Sequence, residues 1–498
     1  MKFNQLTKSI SLALLASSTA QSAEFIVTSA GDAGGDLPIE IATDVFEINT
    51  LRSAIQQADN ESAFPGADVI RFDPSIFVQG QASIELNAVG DSFSFGGTSN
   101  SAFGINSDIT VESSTDSELT LTAGNLRHFQ VNSGGTLRIN HITLEGGSTP
   151  NNLSGRGGAV YVRTGANFHI ANSTISNNSA NTGGGINIRD NGSPVTIVNT
   201  VFMNNVSTGS SGSGTGGAVF KKGEVPLIVS QSDFYQNTSN YAGGALFISG
   251  RMIVEDSTIH GNTSNRDGGG ISGNNQGVLT LLNSTISNNQ ARFDGGGVEL
   301  NTELGEGMNT IVNSTIANNQ SYSNTSLESF ARNTQRGGEI NLDSSGGGLF
   351  VGDYEATIEL HNTLIVNNVE TTDRIPDDIA AAPSLDSSHN LFGVGDSVIG
   401  LIDGVNGNQI GTLLNPIDAE LLPLADNGGP TLTHRLSRSS PAIDSGSNTE
   451  ATEQNLSADQ RGIGFTRFVS TVDIGAVETD LIFADGFDSG LNLEGSVE

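Results

Sequence analysis

The chain has no cysteine and no tryptophan, and only five tyrosines, four methionines and seven histidines in 498 residues. Without cysteine there is no disulfide, no thiolate chemistry and no cysteine-held zinc. The histidines, at positions 128, 141, 169, 260, 361, 389 and 434, do not cluster at a ligand spacing. Basic residues are scarce: 21 Lys and Arg stand against 54 Asp and Glu, a formal net charge of −33. Phosphate backbones are gripped by clustered Lys and Arg, so this balance argues against a nucleic-acid partner. It suits a solvated acidic surface and, as a second reading, calcium, whose ligands are oxygens. No stretch is long enough for the ~20 apolar residues of a membrane helix. The shortage of Tyr and Trp counts against a groove lined with aromatic platforms for sugars.

What the chain has in abundance is glycine, 63 residues of it, and one recurring heptad. Asn283-Ser-Thr-Ile-Ser-Asn-Asn289 repeats identically at Asn172–Asn178 and with one change at Asn313–Asn319. Looser copies start at Asn140, Asn199, Gln231, Asp256 and Asn362. Before most copies stand two or three glycines followed by a small or apolar residue, with first glycines at 157, 183, 216, 243, 268, 295 and 346. A period of 25 to 33 residues sustained over most of a chain means stacked units. Val160-Tyr-Val162, Phe168-His-Ile170 and Val278–Leu282 are short β-rich runs, and no unit carries a helical apolar stripe. Three short strands per unit predict one coil of a single-stranded right-handed parallel β-helix, an all-β fold.

In that register Ile175, Phe202, Phe234, Ile259, Ile286, Ile316 and Ile365 form one inward stack. Three residues after each comes an asparagine: Asn178, Asn205, Asn237, Asn262, Asn289, Asn319 and Asn368. Their amides are expected to hydrogen-bond up the column as a ladder, at a corner whose left-handed backbone Asn tolerates. The glycines serve a second corner, where φ > 0 or close approach excludes a Cβ.

Taken in order, residues 1–23 read as a secretory signal peptide, with Lys2 and Lys8, the apolar Ile10–Ala16 and the small residues Ala20-Gln-Ser-Ala23 before a cut between Ser22 and Glu24. Residues 24–136 read as an N-terminal cap and irregular first coils. Within them Ile48–Asp59 is an amphipathic helix with Leu51, Ile55 and Ala58 on one face and Asn49 or Thr50 as N-cap. It is placed to cover the open end of the first coil. Repeats fill 137–400, a closing region 401–478, and a tail 479–498. The interval from the motif Asn to the next first glycine is 11 or 12 residues at four coils, 17 from Asn199 to Gly216 and 33 from Asn313 to Gly346, so insertions fall at one corner.

Thr50-Leu-Arg-Ser-Ala-Ile55 followed by Phe64-Pro-Gly-Ala-Asp-Val-Ile-Arg-Phe-Asp73 resembles the CSLREA domain, which precedes β-helices in exported bacterial proteins. The motif's Cys-Ser is replaced by Asn49-Thr50 and its Glu by Ser53. The glycine and Ile/Phe-x-x-Asn repeats resemble those of polymorphic outer-membrane proteins. Leu421–Pro430, Ser440–Gly446, Asp459-Gln-Arg-Gly462 and Val472–Glu478 resemble, in that order, the choice-of-anchor Q region. There it closes a β-helix ahead of interchangeable anchoring tails. Leu481–Phe487 is similar to endings in such proteins from Gram-negative bacteria. The resemblance implies a secreted or cell-surface, outer membrane-associated protein. An autotransporter is excluded, because residues 370–498 are too few and too irregular for its barrel.

The candidate chemistry is one pair. Asp267 and Asp294 each precede a triple glycine, lie 27 residues apart and therefore stack on adjacent coils, with Arg266 and Arg292 beside them. Stacked carboxylates can bind calcium or divide acid and base roles, as in a glycosidase. Asp before Gly is also an ordinary turn residue, here relieved by arginine, and this reading is preferred. Two functions follow. One is an adhesin-like surface protein without catalytic activity that contacts an extracellular glycan or surface component. The other is a polysaccharide lyase or glycoside hydrolase built on Asp267 and Asp294.

Overall fold

The computed structural model describes residues 22–94, 97–210, 212–303, 306–322, 346–352, 358–370 and 375–479. Residues 1–21, most of the long insertion at 321–345, and 480–498, to which parts of the sequence reading refer, lie outside the described residues. The chain winds as a right-handed parallel β-helix, the hand that parallel crossovers take almost without exception. Three sheets of 22, 12 and 8 strands run along it among the described residues. One coil shows the plan: Ile186–Ile188 and Val195–Val198 join the first sheet, Val201–Met203 the second and Val206–Ser207 the third. A coil therefore contributes four short strands where three were expected, two of them to the first sheet.

The inward stack stands as the spacing predicts. Ile175, Phe202, Phe234, Ile259, Ile286, Ile316 and Ile365 pair in register and are fully buried. The column continues through Leu144, Leu121 and Ile84 at one end and Phe392 at the other. Full burial of each such side chain contributes about 1.5–3 kcal/mol. In-register coils thus reach back to residue 81, where the sequence shows no repeat.

Each place in the heptad has its own task. Asn283 turns the corner between first and second sheets at φ 52°, and Asn288 turns the next at φ 56°. Between them Ile286 faces in, while the hydroxyl of Ser284 accepts the N–H of Ser257 one coil away at 3.1 Å. Asn289 belongs to the ladder, in which Asn178, Asn205, Asn237, Asn262, Asn289, Asn319 and Asn368 are linked Nδ2 to Oδ1 at 2.9–3.0 Å. Each Nδ2 also donates to a carbonyl, such as Asn289 to Ile259 at 2.9 Å, and each Oδ1 accepts a backbone N–H. These buried amides are thus fully satisfied. Contrary to the expectation from sequence, the left-handed corner is not the ladder residue but the one before it. A side chain pointing inward along the stack leaves the turn to its neighbour.

The third corner needs glycine twice. The first glycine has positive φ, 63° at Gly268 and Gly295. At the second, a Cβ on Gly269 would lie 2.2 Å from the carbonyl oxygen of Gly296 on the next coil.

At the N-terminal end the helix spans Leu51–Ala58, with Thr50 as N-cap accepting the Ser53 N–H at 3.2 Å. Leu51, Ala54, Ile55 and Ala58 are buried in the same core as Phe25, Ile70 and Ile84. Arg52 of the helix pairs with Asp32 at 2.8 Å, tying the glycine-rich loop across the cap.

At the other end the stack finishes with Gln409–Ile410 on Leu391–Phe392. Residues beyond about 419 do not extend it. They fold back along the outer face of the second sheet, past coils already laid down. Gly475 N–H donates to Asn362 O (2.9 Å), Ala476 N–H to Thr315 Oγ1 (3.0 Å), Thr285 Oγ1 to Gln460 Oε1 (2.6 Å), and Gln460 Nε2 to Thr258 Oγ1 (2.8 Å). The reason is apolar. Earlier coils face outward with Thr143, Glu145 and Thr174, whereas Ala317, Leu364, Val366 and Leu391 face outward here and are buried with Ala419, Leu436, Ala442 and Ile474.

Candidate functional site

Asp267 and Asp294 do stack: the carbonyl of Asp267 accepts Gly243 N–H at 3.0 Å and that of Asp294 accepts Gly268 N–H at 2.9 Å, the same position on successive coils. Asp267 is buried beside Arg266, whose Nε lies 3.1 Å from Oδ2. The same guanidinium covers the Tyr241 ring at 4.5 Å, and that of Arg292 covers Phe293 at 5.2 Å. Calcium takes six to eight oxygens, and a cation would have to displace Arg266 from Asp267. Among the described residues no group of three or more His, Asp or Glu is placed to hold a metal ion.

The sequence reading overlooked what lies alongside. In the first strand after each glycine corner the middle residue points out, giving the column Gln130, Tyr161, Asn187, Phe220, Phe247, Ser272, Glu299 and Phe350. Phe220 and Phe247 stack at 5.6 Å, and Phe93, from a hairpin laid over the first coils, meets Tyr161 edge-on at 5.1 Å. Arginines cross these rings. Arg156 lies 5.3 Å from the Phe93 centroid and bonds the Tyr161 hydroxyl at 2.9 Å, Arg163 lies 5.6 Å from Phe93, and Arg189 lies 5.7 Å from Phe220. Beneath them the fully buried Arg127 donates to Ser99 and Ser101 at 2.7 Å and sits 5.2 Å from the Tyr161 ring. Burial pushes Arg127 down to about 9 and lowers Arg189, with Arg156 adding repulsion to both. Three of the chain's 21 basic residues thus gather on neighbouring coils of one outer face, with a fourth, Arg127, buried beneath them. The signal was present in the triplets Val160-Tyr-Val162 and Leu246-Phe-Ile248, whose centres are aromatic.

Other polar sites are structural. His434 Nδ1 donates to Leu422 O at 2.6 Å, which leaves Nε2 to accept the Ser287 hydroxyl at 2.9 Å. The pair has the geometry of a hydroxyl and its base, but both residues are buried at the seam between the second sheet and the returning segment, to which His434 belongs, and they pin it there. Arg467, fully buried, bonds Asn283 Oδ1 and lies 3.6 Å from Glu478, and Arg461 pairs with Asp459 at 2.5 Å. Lys221 occupies an inward position and is satisfied by Asn191 Oδ1 (2.8 Å) and the carbonyls of Lys222 (2.6 Å) and Gly223 (3.2 Å).

The fold and this face define a β-helix protein with an arginine and aromatic strip on its largest sheet. No family model matches the chain, and no curated protein matches it. Among solved structures it is similar to pectate lyase Pel9A, at a TM-score of 0.49 and 15% identity, over 92% of this chain and 98% of that one. Among the described residues no helix is long and apolar enough to cross a membrane.

Proposed function

We propose that the protein is an exported, surface-associated β-helix that contacts an acidic extracellular glycan through the half-buried arginines Arg156, Arg163 and Arg189. The observation that supports this is the local reversal of charge. In a chain of net charge −33, guanidinium groups crowd together over aromatic rings, and Arg189 has no ion-pair partner among the described residues. Guanidinium forks suit carboxylates, and the buried rings of Tyr161 and Phe220 lie beneath the guanidinium groups of Arg156 and Arg189. The CSLREA-like and choice-of-anchor Q-like stretches support export and surface residence, in the outer membrane of a Gram-negative cell on this reading.

The alternative is a lyase or glycosidase centred on Asp267 and Asp294. The observation that favours it is their stacking beside Arg266 on the same face. The test is a glycan array with a reducing-sugar assay on the mature chain. Binding to a polyuronate but not to a neutral glucan, without cleavage, and lost in Arg156→Ala/Arg189→Ala, is the expected outcome. Cleavage abolished by Asp267→Asn or Asp294→Asn would establish the enzyme instead, and equal binding to single-stranded DNA would reduce the strip to unspecific charge.

A further inference from the structure

Asp68, in the strand Ala67–Phe72, is fully buried. Its Oδ1 accepts the N–H of Ala23 at 2.8 Å, while its Oδ2 is buried with no hydrogen-bond partner among the described residues. A buried carboxylate with one oxygen unmatched is costly to keep. The charges around it do not relieve it: Glu61 and Asp108 are both acidic. The arginines of this end are engaged elsewhere, Arg138 by Asp108 and Arg71 by Glu24 and Glu112. Burial accordingly pushes Asp68 up to about 7 in a chain that continues through Ser22.

The backbone at this point is fixed. Ala23 O accepts Val69 N–H at 2.9 Å, and Glu24 N–H donates to Asp44 O at 2.8 Å. Ala23 is buried and Ser22 exposed, so the chain enters the protein between these two residues. A cut there also places the small residues Ala20 and Ser22 at the third and first positions before the bond, as a signal peptidase requires.

We infer that the mature chain begins at Ala23 and that its α-ammonium group is the missing partner of Asp68. The inference rests on the export reading above. Peptidase hydrolysis of the Ser22–Ala23 amide consumes one water. Ser22 leaves with the new carboxylate, and the Ala23 nitrogen takes up protons to become an ammonium, with an ordinary pKa of about 8. The amide donates once. The ammonium donates three times, carries the opposite charge and sits against Oδ1, within reach of Oδ2. A cut one residue later would remove Ala23 and leave Asp68 buried with neither contact. Processing thus adds a counter-charge at the cap, where the strand Glu24–Val27 lies between Val45–Ile48 and Ala67–Phe72 and joins them.

Intact mass of the exported protein is expected to give a chain from Ala23, and a chain from Glu24 overturns the inference. The ion pair is read separately on purified chains beginning at Ala23 or at Ser22, released from a cleavable tag. The Ala23 chain is expected to melt several degrees higher near neutral pH. It should lose that advantage as pH rises above about 8, the ordinary ammonium value, towards the higher one that pairing with Asp68 gives it, and on Nα-acetylation. Asp68→Asn should erase the difference between the two starts. Equal melting of the two starts with Asp68 intact overturns the ion pair. An exported fraction that keeps Met1 overturns the export reading and the cut, while the melting comparison still decides the pair.

Discussion

The side-chain amide of Asn368 donates to the carboxylate of Asp378 at 2.9 Å, so the asparagine ladder ends on an aspartate. Each rung hands a donor to the next coil, and the last rung needs an acceptor that brings no donor of its own. Asp378 supplies it: Oδ1 also takes the backbone N–H of Asn368 (2.8 Å), and Oδ2 takes that of Val394 (2.7 Å). Asp378→Ala strands three buried donors, each worth about 1–3 kcal/mol, and is expected to destabilise by more than ~3 kcal/mol in thermal unfolding. Asp378→Asn keeps one oxygen but turns an N–H toward Val394, and should fall between the two.

The two kinds of glycine separate by substitution. Gly269→Ala drives a Cβ to 2.2 Å from a backbone oxygen of the next coil and should cost more than ~3 kcal/mol or prevent folding. Gly261 has φ 62° with nothing within 4 Å of a built Cβ, and other coils place Asn or Gln at this corner. Gly261→Asn is therefore expected to be neutral or mildly stabilising, by up to ~1 kcal/mol. A large loss there would mean that the corner is not equivalent from coil to coil.

The returning segment hangs on Gln460, which bonds Thr285 and Thr258 across two coils. Gln460→Ala leaves the buried Thr285 hydroxyl unmatched, while Thr258 keeps its bond to Leu432 O, at about 1–3 kcal/mol. Limited proteolysis should then cut between residues 420 and 470 well before the coils, and an unchanged digestion pattern would show that the segment is held by its apolar face alone.

Stability should fall as pH rises from about 6.5 to 8.5. Burial raises Glu478 to about 8, Asp378 and Glu255 to about 7, and Asp473 and Asp256 to about 6. Across the window between the ordinary carboxylate range and these values the folded chain holds protons that the unfolded chain has lost, so the slope is negative. His128 (down to about 4) and His434 are lowered by burial and act in the opposite sense, but only below about 6.5. Glu478→Gln should flatten the upper part of the curve, and a Tm that climbs between pH 6.5 and 8.5 would contradict the assignment.

For the acidic corner, Arg266 already meets Asp267 at 3.1 Å. The double change Asp267→Asn/Asp294→Asn is expected to alter stability by less than about 1 kcal/mol, and millimolar calcium should leave the wild-type Tm in place. A calcium-dependent rise that vanishes in the double variant would restore the metal reading.

The coil was legible along the chain. Apolar residue, left-handed corner, ladder asparagine and paired glycines recur at fixed spacing because each coil meets the same neighbour above and below, so the contacts that specify the fold are written in the period. The helix at Leu51–Ala58 was legible for a similar reason, since its apolar face and Thr50 cap are local. Asp378 was not, because it stands ten residues after Asn368 in a stretch with no repeat, and only the stacking brings its carboxylate under the last amide. Nor was the return of residues 419–479 over the flank, which joins Gln460 to Thr258 across 202 positions. The strip of Arg156, Arg163 and Arg189 was hidden in the same way. Each arginine looks isolated along the chain, and it is the coil-to-coil spacing of about 4.8 Å that gathers them on one face.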